Sequence, residues 1–314
     1  MFRCFFLLAL LSCAHEPRPE PQPAGAPEKE AQEAALARFR DGFVGPKGYV
    51  TSYYTDGPRA GERERLGDST LWTWVAIGAL DCQTAAAMVD AQLDLLVSKA
   101  GRIDRHDPLR VPGDARTPYS FDQESGWLHG LARHIARCGP SPLVDVAWDT
   151  RDAYTAANGG RLHEDPALGR LPAEFTVLRD ELAHKLGKGG RPSNARLTSL
   201  SAQLAGWLAA VKATRRECYR AHLGWLYVSG LEALGRPLSD EGRAAVCAAA
   251  DGLSMPVWEH YCGRDDLAAF IRDFRYNQYE YSLQRCAWET PDGLPDLATP
   301  GVDLIVAYGL RHGV

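Results

Sequence analysis

The sequence predicts an all-α domain in which antiparallel helical hairpins form an (α/α) toroid or an incomplete barrel. Apolar residues recur at helical spacing through most of the chain, whereas runs that alternate apolar and polar residues, as strands do, are almost missing. Short Gly- and Pro-containing turns such as RCGPSP and LGRPLSDEG separate neighbouring segments, as hairpins require. The predicted helices lie at residues 31–44, 69–80, 82–99, 122–137, 141–155, 172–186, 194–212, 215–233, 239–252, 264–274, 275–287 and 300–310.

A weak internal repeat supports the arrangement in hairpins. GWLHGLARHIARCGP, from Gly126, and GWLYVSGLEALGRP, from Gly224, share Gly-Trp-Leu, a later Gly-Leu and a Gly close to a final Pro. Repeated hairpins favour a ring or a solenoid. Chance similarity between two amphipathic helices is the alternative.

The N-terminus predicts export and a lipid anchor. Arg3 precedes the short apolar run CFFLLALLS, and LLSC ends at Cys13, so residues 1–12 are interpreted as a lipoprotein signal peptide and Cys13 as the lipidated residue. An ordinary secretory signal is the alternative, and it would also export the chain. Residues 13–31 are rich in Pro and charge and predict an extended tether. Residues 32–314 then form a single toroid domain at the bacterial cell envelope, lipid-anchored and facing the periplasm or the surface.

Charge and cysteine usage restrict the function classes. The formal net charge of −5 argues against nucleic-acid binding. Six cysteines remain outside the signal and Cys13, without a CxxC pair, which favours disulfides or buried thiols over a metal site. GxSxG, HExxH and P-loop motifs are missing from the sequence, so neither a metal nor a cofactor is expected.

Three segments carry a partial family resemblance. GDSTLW at 67–72, GRIDRHDP at 101–108 and SFDQESGWLHGL at 120–131 resemble uncharacterised bacterial and phage proteins of the six-hairpin (α/α) toroid glycosidase-like group. The resemblance covers residues 67–131 and implies the fold more firmly than an activity.

Two aspartates at helix starts are the candidate catalytic residues, Asp68 and Asp122. Glycoside hydrolysis needs a carboxylic acid that protonates the leaving oxygen and a second carboxylate that attacks or activates water. Parallel inner helices of a toroid would place both carboxylates on one rim, about 5 to 10 Å apart. The alternative is capping: Asp68 as the N-cap of its helix, and Asp122 in a first turn where Ser120 and Gln123 form a capping box.

The connection at 101–120 predicts a ligand-binding loop, because long loops in compact helical domains commonly line a site. Arginines bind carboxylates or phosphates and histidine transfers protons near neutral pH. The predicted substrate-binding residues are Arg102, Arg105, His106, Tyr119 and Trp127. The alternative is a solvated loop whose arginines pair with Asp104 and Asp107.

The sequence therefore predicts an envelope-anchored lipoprotein that binds or cleaves a carbohydrate or cell-wall glycan such as peptidoglycan, as a glycoside hydrolase. One alternative is a non-catalytic envelope lipoprotein that acts as a ligand-binding or assembly scaffold. Another is a polysaccharide lyase, in which a base removes the proton beside a uronate carboxylate. Besides the membrane and the glycan, the sequence indicates no partner, and it does not indicate an oligomeric state.

Overall fold

The computed structural model describes residues 37, 39–54, 57–64, 69–103, 121–163, 176–214, 218–253, 256–263 and 297–298. Helices dominate these residues, as predicted. Residues 39–43 form the described end of α1. The further helices are α2 (Ser69–Ile77), α3 (Cys82–Ser98), α4 (Phe121–Cys138), α5 (Pro142–Ala157), α6 (Thr176–Lys185), α7 (Asn194–Thr214), α8 (Cys218–Ala233), α9 (Asp240–Ala250) and α10 (Pro256–Tyr261).

The helices predicted between residues 69 and 252 are confirmed, with shifts of a few residues at their ends. Helix α10 was not predicted from the sequence, because its six residues are too few to show a helical period. The helices predicted at 264–274, 275–287 and 300–310 lie outside the described residues.

A small antiparallel sheet is a second departure from the prediction. Its order is β2 (Arg63–Glu64), β1 (Ser52–Tyr54) and β3 (Leu297–Ala298), with Tyr53 opposite both Arg63 and Ala298. Strands of two or three residues are too short to produce an alternating pattern in the sequence, so only long-range pairing defines them.

The helices form two layers that differ in burial. In the inner layer α4 packs on α2 and on α8, whereas in the outer layer α3 packs on α5 and α7 packs on α9. Every residue is buried over 70–80, 122–135 and 221–231, within or at the end of the three inner helices. The outer helix α3 buries one face only, at Ala85, Met88, Val89, Gln92 and Leu96. The core therefore lies between a fully enclosed inner layer and an amphipathic outer layer.

Helices α2 and α4 run parallel and nearly touch at their backbones. Going along both chains, Gly126 faces Leu71 and Gly130 faces Trp74, while Arg133 lies against Gly78. A Cβ atom at Gly130 would lie 2.0 Å from the Trp74 carbonyl oxygen, which only glycine avoids. The glycines of the repeat thus set the spacing of the inner layer.

Two disulfides link helix ends. Cys82 at the start of α3 bonds Cys138 at the end of α4, and Cys247 of α9 bonds Cys262 just after α10. The expectation that the cysteines act as covalent links is confirmed for these four. Such bonds form and persist in oxidising compartments.

Candidate functional site

The structure describes only some of the predicted site residues. Asp68, Arg105, His106 and Tyr119 lie outside the described residues, as does Cys13. Arg102 is half-buried in the connection after α3. Asp122 and Trp127 lie on α4 and are buried. The described part of the site is therefore built around the inner helix α4.

Polar side chains are concentrated inside this layer, which is unusual for the interior of a helical domain. The first turns of α4 and the facing parts of α8 contribute a set of fully buried polar residues that we call the inner polar cluster: Asp122, Gln123, Ser125, His129, His222 and Ser229. Helices α2, α4 and α8 enclose this cluster. Buried ionisable groups of this kind are typical of functional sites.

Asp122 and Gln123 connect the start of α4 to the start of α2. Asp122 Oδ1 accepts a hydrogen bond from Gln123 N at 3.0 Å and a longer one from Gln123 Nε2 at 3.4 Å. Gln123 Oε1 accepts from Leu71 N at 2.8 Å and so satisfies one of the open N–H groups in the first turn of α2. The side-chain amide of Gln123 thereby connects the Asp122 carboxylate to α2, the helix that follows residue 68 in the chain.

Deeper in the cluster, hydrogen bonds and rings join α4 to α8. Ser125 Oγ shares a 3.3 Å hydrogen bond with the Tyr227 hydroxyl, and His129 Nε2 lies 3.1 Å from Ser229 Oγ. The ring of His129 also lies 5.3 Å from that of Trp225. These contacts orient the histidine from two directions.

Both histidines are uncharged at neutral pH. Burial is the main cause that lowers the pKa of His129 well below 6.5, and the nearby Arg133 and His222 lower it further. Burial alone lowers the pKa of His222 to about 3. Neutral imidazoles present one donor and one acceptor nitrogen each, so they suit hydroxyl groups better than anions.

Acid is expected to destabilise the fold through His222. The folded-state pKa lies below the ordinary value of 6.5, so the unfolded chain takes up the proton first. His222 therefore does not change the free energy of unfolding above pH 6.5. As the pH falls from 6.5 toward 3 it lowers that free energy, by about 2 kcal/mol at pH 5. Urea unfolding at neutral pH and at pH 5 measures the loss, and His222→Gln should reduce it.

His184→Gln provides the control for this experiment, because His184 is exposed in the last turn of α6. It should leave the acid-dependent loss of stability unchanged. An equal loss in wild type and in His222→Gln would contradict the assignment.

A buried ion pair adjoins the cluster and holds the first turn of α4 against α5. Arg151 Nη2 donates to Glu124 Oε2 at 2.6 Å, and both side chains are essentially inaccessible to solvent. The same guanidinium donates to the carbonyl oxygens of Gly101 and Leu162, each at 3.0 Å. Arg151 is thus fully occupied, and it ties the connections before α4 and after α5 to the site.

Trp127 belongs to the packing beneath the cluster. Its ring stacks on Trp148 with centroids 5.6 Å apart and planes inclined by 20°. Only 1% of Trp127 is exposed. In the described structure its contacts are therefore those of a core residue.

Several residues of the cluster carry no signal that sequence analysis recognised. From the sequence Gln123 was assigned only to a capping box, and Glu124, His129, His222 and Ser229 were not selected as site residues. The available signal was the run of four polar residues at 122–125, which places polar side chains on every face of the first turn of α4, including the face that carries its apolar residues. Such a run also suits an exposed first turn, and only the packing of α2 and α8 around α4 makes it a buried polar site.

The described residues contain no group of three or more His, Cys, Asp or Glu side chains placed to hold a metal ion. No helix among them is both long and apolar enough to cross a bilayer.

The chain was compared with protein-family models, with curated proteins and with solved structures, and no match was found in any of the three.

Proposed function

We propose that the protein is an envelope-anchored lipoprotein whose helical domain binds and hydrolyses a carbohydrate or cell-wall glycan. The observation that carries the proposal is the inner polar cluster, in which Asp122 is fully buried at the starts of parallel inner helices. A domain gains no stability from burying a carboxyl group and two neutral imidazoles, since apolar side chains fill such positions at lower cost. A functional role therefore explains the presence of these buried groups better than a contribution to stability does.

The arrangement in two layers supports an (α/α) toroid. Parallel α2 and α4 on the inside, with α3 and α5 outside, have the geometry that such hairpins require. We further propose that the helices predicted at 264–310 close the ring.

In this proposal Asp122 is the proton donor and Asp68 the second carboxylate. A general acid must carry its proton when the substrate binds, so the role requires a protonated Asp122. Asp68 directly precedes Ser69, the first residue of α2, and the N-terminal turn of α2 is hydrogen-bonded to Gln123. On the basis of this chain connectivity, the proposal assigns both aspartates to the same end of the inner layer.

The proposal assigns the substrate loop to the same end, because of its place in the sequence. Residues 104–120, with Arg105, His106 and Tyr119, lead directly into Phe121 at the start of α4. Arg102 completes this proposed substrate-binding set, whereas Trp127, which was also predicted to bind substrate, has the contacts of a core residue. Arginine recognises carboxylates, so acidic sugars and peptidoglycan peptides are the preferred ligand classes.

Export and lipidation at Cys13 are also part of the proposal. Two disulfides that join separate helices support an oxidising compartment outside the cytoplasm. A lipid at Cys13 and the tether at 13–31 then hold the domain near its membrane and its glycan substrate.

The test uses the full chain in detergent and a panel of glycans and peptidoglycan, with product release and thermal shift as readouts. Asp122→Asn and Asp68→Asn should each lower product release by at least about a hundredfold while binding persists. Asp145→Asn is the control, since Asp145 also lies in a first helical turn but outside the cluster. Its turnover should equal that of wild type.

The same panel separates the alternatives. Binding without any product would favour the scaffold, and products that carry an unsaturated uronate would favour the lyase. Full activity of Asp122→Asn would contradict the role of this carboxyl group.

A further inference from the structure

A second charged cluster lies at the opposite end of α4, where α2 ends. Arg133 Nε donates to the Gly78 carbonyl oxygen at 3.1 Å. Arg137, one turn later, donates from Nη2 to Ile77 O at 3.3 Å and from Nη1 to Gly78 O at 3.4 Å. We call Arg133, His134 and Arg137 the arginine end.

These two arginines retain unused donors. Only 7% of Arg133 is exposed, yet its Nη1 has no hydrogen-bond partner among the described residues. In the same part of the chain, Arg137 Nε and His134 Nδ1 are also buried without a partner. Guanidinium groups that bond only to carbonyl oxygens keep their full charge, which is costly away from water.

Neighbouring charges do not neutralise the arginine end. Burial and mutual repulsion lower the pKa of Arg133 to about 9, and burial lowers that of Arg137. Glu232 and Asp81 attract them weakly through space. Those carboxylates are already engaged, Glu232 with Arg243 at 3.4 Å and Asp81 with Thr84 N at 2.9 Å.

The surrounding structure holds the arginine end in place. A Cβ at Gly78 would lie 3.1 Å from the Arg133 Cβ and 3.3 Å from its Cδ, so the glycine makes room for this side chain to cross the end of α2. The disulfide between Cys82 and Cys138 links the residue after Arg137 to the start of α3. Both constraints reduce the conformational entropy that the arginine end loses when a ligand binds.

We propose that the arginine end binds a phosphate-class oxyanion, separately from the glycan site. Two guanidiniums on successive turns of α4, with open N–H donors and no carboxylate partner among the described residues, match the several acceptor oxygens of such an ion. Arg137 is half-buried, so it is the residue of this pair that solvent contacts more. The inference does not depend on Asp122 or on glycan cleavage.

The test is calorimetric titration of the detergent-solubilised full chain with inorganic phosphate at low ionic strength. Wild type should bind, and Arg137→Gln should weaken binding at least about tenfold. Arg133→Gln should do the same, with Arg133→Lys as the substitute if that variant fails to fold. Arg161→Gln is the matched control, because Arg161 likewise donates to a carbonyl oxygen at a helix end, Asn158 O at 3.1 Å, and should leave the affinity unchanged.

Further titrations identify the source of the phosphate group. Glycerol phosphate that binds more tightly than the free ion would indicate a lipid headgroup, whereas tighter binding of inorganic phosphate would indicate the ion itself. The proposal is wrong if wild type binds no phosphate, if Arg137→Gln binds as tightly as wild type, or if acetate binds more tightly than phosphate.

Discussion

Gly130→Ala should destabilise the domain by at least about 3 kcal/mol, because the added methyl group has no room. Its carbon would lie 2.0 Å from the Trp74 carbonyl oxygen and 2.7 Å from the Trp74 carbonyl carbon. Backbone atoms in the middle of a helix cannot rotate away, so α2 and α4 must separate along their length. Urea unfolding measures the effect as a lower transition midpoint.

Gly206→Ala is the matched control for the same chemical change. Gly206 is exposed in the middle of α7, and a Cβ there would meet nothing within 4 Å. Alanine has the higher helix propensity, so this variant should be stabilised by about 0.5 to 1 kcal/mol. Similar midpoints for the two variants would show that α2 and α4 are farther apart than described.

Glu124→Gln should cost about 3 to 5 kcal/mol, since it leaves the buried charge of Arg151 without its counter-ion. The pair is joined at 2.6 Å, and its side chains are 0% and 1% exposed. The carbonyl oxygens of Gly101 and Leu162 remain as partners of the guanidinium, but they are neutral. Chemical denaturation gives the loss, and the double variant Glu124→Gln with Arg151→Met should recover part of it.

An exposed ion pair provides the comparison. Arg179 Nη2 lies 2.6 Å from Asp152 Oδ1, the same distance as in the buried pair, but the Asp152 side chain is 54% exposed. Asp152→Asn should therefore change stability by less than about 1 kcal/mol. If the two substitutions have equal effects, burial is not what gives the Glu124 pair its importance.

The sequence predicted the local architecture well because helices depend on contacts between near neighbours. Most helices between residues 69 and 252 follow from apolar spacing and Gly or Pro turns. The repeat around Gly126 and Gly224 also has a structural basis, since a Cβ at either glycine would come within 2.6 Å of a leucine side chain on another helix. The three-stranded sheet was missed because its strands are only two or three residues long and β3 pairs with a strand far away in the chain.

The candidate site was predicted only in part. Asp122 was selected as a residue at a helix start, and the choice between a cap and a functional carboxylate stayed open. The structure adds that its neighbour Gln123 reaches α2, 52 positions earlier in the chain. Periodicity carries no information about such a contact.

By itself, the sequence determined the helical class, the short connections that contain Gly or Pro and the cysteines available for disulfides, because each depends on local periodicity, turn chemistry or composition. The tertiary structure alone decided which helices are enclosed on every side and which polar groups meet inside them. His129 and Ser229, 100 positions apart, share a hydrogen bond, and Arg151 finds Glu124 27 positions away. Such partners are selected by the burial of whole helices against one another, and the cost of leaving a buried polar group without a partner then specifies the pairing.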